Sequence, residues 1–269
     1  MTNEWDKRGT GLLSFVMRRE AELIREAVAP ILAGFTVEVV AQVDSTNSEL
    51  MRRARLGQTG PVLLVAEQQT AGRGRLGREW HSHDGDSLTF SMGLMLSPAD
   101  WSGLSLAVGV CLAEALHPRT RLKWPNDLWL DDRKLGGILI ETASSGGGAG
   151  ACRYAVVGVG INIVSRPWQD LSTPAAALQE LLPGCGAENA LAHVAEPLVR
   201  TLQAFEAFGF APFQARFNAR DALHERPVVL GDGSAGTAHG ASETGALLVH
   251  TANGMQAVTS SEVSVRPAS

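Results

Sequence analysis

Glycine and arginine alternate along Gly72-Arg73-Gly74-Arg75-Leu76-Gly77-Arg78, between the apolar run Val62–Ala66 and the pair Glu79-Trp80. Glycine lets a backbone approach a ligand closely and adopt φ > 0. Arginine brings a planar donor fork that suits carboxylate and phosphate. Together they predict a mobile loop that closes over an anionic group. The competing reading is a disordered basic loop or a nucleic-acid patch. Two observations favour the anion site. A strand precedes the loop, and the chain as a whole is acidic, with 23 Lys+Arg against 28 Asp+Glu and a formal net charge of −5.

Three further segments carry candidate chemistry. Lys123-Trp124-Pro125-Asn126-Asp127 reads as a turn whose Asn and Asp could coordinate Mg²⁺ or orient an amine. After it, Asp131-Asp132-Arg133-Lys134-Leu135-Gly136-Gly137-Ile138-Leu139-Ile140-Glu141 places Lys134 in a polar turn before a Gly-Gly strand start, within reach of a ligand on the sheet. Taken alone, either piece also fits a hairpin with a solvated charge. In Val156–Ile163, Gly158 and Gly160 share one strand face, leaving a groove for a flat ligand or for a packed backbone. No third glycine and no helix opening follow, which excludes a dinucleotide fingerprint. Asp44-Ser45-Thr46-Asn47 reads as a helix N-cap, with Ser45 and Thr46 also placed as hydroxyl donors to a small polar head group.

The elements that must position these residues follow from periodicity. Leu23, Ile24, Ala27, Val28, Ile31 and Leu32 recur at helical spacing in a lead-in over residues 1–36, which Pro30 ends or kinks. Strand-like runs come at Val37–Val43, Val62–Ala66, Leu88–Leu96, Arg121–Trp124, Leu128–Asp131, Gly137–Glu141 and Tyr154–Ile163. Helical patterns cover Trp101–Leu116, Ala187–Phe208 and Pro212–Ala219, and Ser144–Gly150 reads as a hairpin tip. After Arg226-Pro227 come short strands at Val228–Leu230, Ala246–His250, Met255–Val258 and Val263–Val265. The reading is an α+β domain over 37–220 with a small barrel over 221–269.

The four motifs, in this order, resemble the biotin–protein ligases over roughly residues 37–269. The family's fold is a mixed β-sheet with flanking helices, similar to class II aminoacyl-tRNA synthetases, plus a small C-terminal SH3-like β-barrel. The resemblance implies a two-step reaction. Biotin and Mg-ATP give biotinyl-5′-AMP and pyrophosphate, and a lysine of a biotin carboxyl carrier protein then takes the biotin and releases AMP. It implies biotin binding by Ser45, Thr46, Asn47, Gln69, Gly72, Arg73, Gly74, Arg75 and Lys134, with Gly158 and Gly160 flooring the slot. Arg73, Arg78, Trp80, Lys123, Asn126 and Asn162 would serve the nucleotide. Arg75, Lys134 and Asp127 would be catalytic, Asp127 orienting the incoming lysine. ATP and Mg²⁺ enter as co-substrate, the metal near Asn126 with no fixed protein site, and no permanently bound cofactor is implied.

The sequence departs from the family in two places. Leu76 stands where family loops often carry another arginine, and His81-Ser82-His83-Asp84-Gly85-Asp86 replaces the usual Ser-Pro-x-Gly-x-Asn. His83, Asp84 and Asp86 could suggest a metal site, but a solvated loop is the better reading. A second nucleotide loop is expected within Ser165–Leu178.

Composition sets the remaining bounds. The 269 residues contain 45% hydrophobic residues, enough for a real core, and no apolar run long enough to cross a bilayer. The start Met1-Thr2-Asn3-Glu4-Trp5-Asp6 lacks a secretory pattern, and three scattered cysteines form neither a disulfide framework nor a zinc spacing. A cytoplasmic protein without membrane contact is expected. Only 44 residues precede Ser45, too few for a DNA-reading module with its wing, so no DNA binding is expected. A homodimer is left open. The alternatives are a lipoate or octanoyl ligase or transferase of the same fold, and a biotin-binding regulator.

Overall fold

Ser87-Leu88-Thr89-Phe90-Ser91-Met92-Gly93-Leu94 alternates small or polar with large apolar residues, and this period of two separates the two faces of the main sheet. The computed structural model describes residues 6–80, 82, 85–144, 152–165, 173–231, 233–259, 266 and 267. In chain order come α1 (Asp6–Val28), β1 (Thr36–Val43), α2 (Thr46–Arg55), β2 (Val62–Gln69), β3 (Gly72–Arg73), β4 (Glu79–Trp80), β5 (Ser87–Leu96) and α3 (Leu104–Leu116). There follow β6 (Arg121–Lys123), β7 (Asp127–Leu130), β8 (Arg133–Ser144), β9 (Arg153–Asn162), α4 (Ala187–Phe208) and α5 (Ala211–Asn218). The C-terminal strands are β10 (Pro227–Val229), β11 (Ala235–Ala241), β12 (Leu247–Thr251), β13 (Gly254–Val258) and β14 (Arg266–Pro267).

The architecture is the α+β arrangement expected. Seven strands form one sheet in the order β1-β2-β5-β9-β8-β7-β6, with β1 and β2 parallel and every other neighbouring pair antiparallel. Leu88, Phe90, Met92 and Leu94 join Leu63, Val65, Val157 and Val159 in the larger core, which α1, α3 and α4 cover. The alternate residues face α2, whose Leu50 packs on Val62, Leu64, Tyr154 and Val156. Helix α3 is apolar on nearly every side because it lies between the sheet and α4. A second sheet, antiparallel throughout, runs β13-β12-β11-β10-β14. Its Val228, Leu230, Ala238, Leu247 and Val249 belong to the same continuous core as the main sheet.

Three local expectations change. Lys134 lies within β8 rather than in a turn, because the chain reverses earlier, at Asp131 (φ 47) and Asp132 (φ 60). Two successive left-handed residues make the tight hairpin that matches strand twist, and aspartate tolerates that region better than most side chains. The glycine–arginine loop is partly ordered as the hairpin β3–β4, with Gly72 opposite Trp80 and Arg73 opposite Glu79. Strand β11 carries too few large residues to stand out in the sequence. His81, His83, Asp84, the tip over 145–150, residues 166–172 of the second nucleotide loop and the strand Val263–Val265 lie outside the described residues.

Candidate active site

On the face turned toward α2, Ala66, Thr89, Gly160, Gly137 and Asp127 form one row across five strands, and Leu64, Ser91, Gly158 and Leu139 form the next. Cross-strand partners share a face, so the small residues of both rows lie side by side and leave room above the sheet. Three segments converge on that room.

The first is the entry to α2. Ser45 is its N-cap, with Oγ accepting from Ser48 N, and Asp44 accepts from Ser45 N. The bidentate Arg52 guanidinium beside Asp44 holds its carboxyl down at about 2, against the opposing effect of burial. Ser45 thus caps the helix as expected, while Thr46 and Asn47 turn inward. Gln69 Oε1 accepts from Thr46 N at 2.7 Å and lies 3.1 Å from Thr46 Oγ1. The buried Ser91 Oγ lies 2.6 Å from both Thr46 Oγ1 and Asn47 Oδ1. Asn47 Nδ2 donates to Leu139 O at 3.1 Å and to Glu141 Oε2 at 2.9 Å.

The second is the hairpin β3–β4. Arg73 Nη2 donates to both oxygens of Glu141, at 3.0 and 2.8 Å. Gly74 N donates to Arg78 O across the base of the turn, and Leu76 at its tip is exposed in the left-handed region with φ 56. Arg75 reaches inward, Nη1 coming within 3.5 Å of Asn126 Oδ1. Burial lowers the Arg75 pKa; nearby Asp127 opposes that shift and Arg78 adds to it. The Trp80 ring lies so close over Gly160 that a Cβ there would collide with it, and Asn47 does the same over Gly158. The two glycines thus make room for Trp80 and Asn47. Trp80 Nε1 is buried with no hydrogen-bond partner among the described residues.

The third is the turn between β6 and β7 together with the start of β8. Ser105 on α3 donates to Pro125 O at 2.8 Å, and Asn126 Nδ2 donates to Ile138 O at 2.8 Å. Lys134 Nζ pairs with Asp127 at 2.7 Å and lies over Gly137, where a Cβ would sit 3.3 Å from it. Asn162 Nδ2 donates to Lys134 O and Ala176 O, so it braces the backbone that carries the lysine. Lys123 is opposite Asp127 in register, and its ammonium stands 5.1 Å from the centroid of the Trp129 ring. Arg78 is exposed.

The arrangement gathers the cations Arg75 and Lys134, one carboxylate at Asp127 and a buried amide–hydroxyl network above a glycine floor. That combination can neutralise two anions brought together and orient a neutral polar head group. Among the described residues no group of three or more His, Cys, Asp or Glu could hold a metal ion. Ser91, Glu141 and Trp124 were not singled out from sequence. Ser91 and Glu141 could have been found by projecting strand parity onto the face that bears Gly158. Trp124, fully buried, donates from Nε1 to Gly245 O at 3.1 Å, a contact 121 residues away that no local pattern reveals.

Residues 39–162 match the biotin/lipoate A/B protein ligase family, and residues 226–266 match the biotin protein ligase C-terminal domain. The chain is 36% identical over 248 residues to the bifunctional ligase/repressor BirA of Escherichia coli, covering 88% of this chain and 76% of the relative. The chain belongs to the biotin protein ligase family. The ligase is also 33% identical to the biotin–[acetyl-CoA-carboxylase] ligase of Paracoccus denitrificans, over 84% of this chain and 98% of that one. Its fold superimposes on the biotin protein ligase of Aquifex aeolicus in complex with biotin and ATP with a TM-score of 0.73 and 30% identity, covering 86% of this chain and 99% of that structure. As a member of this family it is an enzyme that forms an amide bond. None of its described helices is long and apolar enough to cross a membrane.

Proposed function

We propose that the ligase activates biotin with Mg-ATP and transfers it to one lysine of a biotin carboxyl carrier protein in the cytoplasm. In the first step the biotin carboxylate attacks the α-phosphorus, forming biotinyl-5′-AMP and releasing pyrophosphate. In the second the lysine amine attacks the acyl carbon, forming the amide, releasing AMP and giving up one proton. The observation that carries this reading is the convergence of Arg75, the Lys134–Asp127 pair and the Thr46–Asn47–Gln69 network on one glycine-lined face.

Joining a carboxylate to a triphosphate needs positive charge where negative charge accumulates, which Arg75 and Lys134 supply. Gln69, Thr46 and Asn47 take the ureido end, and Arg73 holds the loop over it. Lys134 exchanges Asp127 for the carboxylate and α-phosphate, leaving Asp127 to orient the incoming lysine. Mg²⁺ would arrive with the nucleotide, and Asn126 would be the side chain that offers it a neutral oxygen. Asn162 acts on the nucleotide indirectly through the Lys134 backbone, while Arg78 and Lys123 stand further out. The hairpin β3–β4 excludes water from a mixed anhydride that hydrolyses readily. Residues 37–220 form the catalytic unit, 221–269 its C-terminal partner and 1–36 a helical lead-in.

The test is incubation of purified protein with Mg-ATP and biotin, with lipoate in parallel, and mass spectrometry for the acyl-adenylate. Biotin-dependent adenylate and pyrophosphate are expected. Adenylate with lipoate alone, or with neither acid from folded protein, overturns the proposal.

A further inference from the structure

Glu141 closes β8's central stretch on the same face as Gly137 and Leu139, one register step beyond Gly158. Its carboxylate receives Arg73 from the hairpin and Asn47 from the entry to α2, so one side chain joins the two segments that flank the head-group end of the site. A carboxylate has only acceptors, and so has the Leu139 carbonyl. The Asn47 amide must therefore turn its nitrogen toward both and its oxygen toward Ser91.

That orientation propagates. Asn47 Oδ1 needs the single hydrogen of Ser91, so at the other 2.6 Å contact Thr46 must be the donor and Ser91 the acceptor. Gln69 Oε1 is held by Thr46 N–H, which turns the Gln69 amide nitrogen the other way. The network then leaves an acceptor at Thr46 Oγ1 and a donor at Gln69 Nε2, which lies against Gly72, to meet a head group that carries both N–H and C=O. Thr46, Asn47 and Ser91 are all buried, so a misdirected hydrogen would leave an unsatisfied polar atom rather than find water.

We propose that Glu141 is a positioning residue for the biotin head group: it fixes the direction of the Asn47–Ser91–Thr46 hydrogen bonds and, through Arg73, holds the glycine–arginine hairpin over the site. The inference rests on the biotin-activating reading above. Glu141→Gln keeps the size of the side chain but loses the charge that holds Arg73, and its amide can face Asn47 either way. Glu141→Ala removes both contacts, and Glu141→Asp keeps the charge on a shorter stem.

The experiment measures biotin affinity by titration calorimetry without nucleotide, KM for ATP, and the half-life of enzyme-bound biotinyl-AMP, with thermal unfolding to show that each variant folds. Glu141→Gln and Glu141→Ala are expected to weaken biotin binding about tenfold and shorten adenylate lifetime to a similar extent. KM for ATP should stay within about twofold, and Glu141→Asp should recover part of the loss. Wild-type biotin affinity in a folded Glu141→Gln protein overturns the proposal, and so does equal weakening of biotin and ATP, which would mark a general structural role. A wild-type enzyme that neither binds biotin nor forms adenylate brings down the functional reading itself. An active wild type with unaffected variants brings down only the role of Glu141.

Discussion

Arg75 is the cation that the hairpin delivers closest to Asn126 and Asp127. On the proposed mechanism, truncating it removes charge where the α-phosphate would develop its own, so Arg75→Ala is expected to slow adenylate synthesis about a hundredfold. Pyrophosphate release in a single turnover checks this, and a wild-type rate with wild-type adenylate retention refutes it. A second residue-scale effect lies away from the site. Burial pushes the Asp221 carboxyl up to about 6 from 3.8, while Leu223 N–H, His224 and Arg121 pull it back. Its Oδ2 has no hydrogen-bond partner among the described residues. The folded chain therefore holds this proton more tightly than the unfolded one, and stability drains away as pH rises from about 4 through 6. Asp221→Asn keeps an acceptor for Leu223 and removes the charge. It should stabilise the protein near pH 7.5 by at most about 3 kcal/mol and have little effect near pH 4, as read from denaturant midpoints. At this scale the sequence pointed to Arg75, Lys134 and Thr46 by residue type, and to Gln69 only through the family resemblance. It did not mark Ser91 or Glu141, because a serine in an apolar strand and a glutamate at the end of one acquire meaning only when the neighbouring strands are placed.

Among the elements, the turn between β6 and β7 is held from three sides: by Ser105 on α3, by Ile138 on β8 and, through Trp124, by Gly245 ahead of β12. The last contact ties the segment carrying Asn126 and Asp127 to the C-terminal sheet. Trp124→Phe removes one buried hydrogen bond, leaves a carbonyl without its donor and shrinks a fully buried side chain. A loss of about 1–3 kcal/mol is expected, as a lower denaturant midpoint with an unchanged slope. The long helices and the alternating strands were legible because their periods are strong; α4 spans Ala187–Phe208 as expected, and α1 ends at Val28, two residues before Pro30. Strand β11 was not, since Ala-Gly-Thr-Ala-His-Gly-Ala lacks the branched residues that signal a strand and depends on β10 and β12 for its partners. The short hairpin β3–β4 was hidden for a related reason: glycine permits almost any backbone, so its sequence states no preference.

For the whole molecule, one hydrophobic core runs from α1 through the sheet to β12, including Val228, Leu230, Ala238, Leu247 and Val249. Asn218 on α5 also exchanges hydrogen bonds with Ala241, and Arg226 pairs with Asp132. The C-terminal sheet is therefore part of the packing that supports the site. A chain ending at Arg220 would expose Trp124 and the underside of α3, and is expected to be insoluble or to unfold without cooperativity. A soluble truncated protein with full adenylate synthesis would refute this. The strict alternation in β5 has a consequence for how this enzyme can diverge. Inserting or deleting a single residue there would bring Phe90 and Met92 out onto the face turned toward α2 and send Thr89 and Ser91 into the oil of the interior. Descendants can thus retune this strand one substitution at a time, whereas a change of length within it closes the lineage.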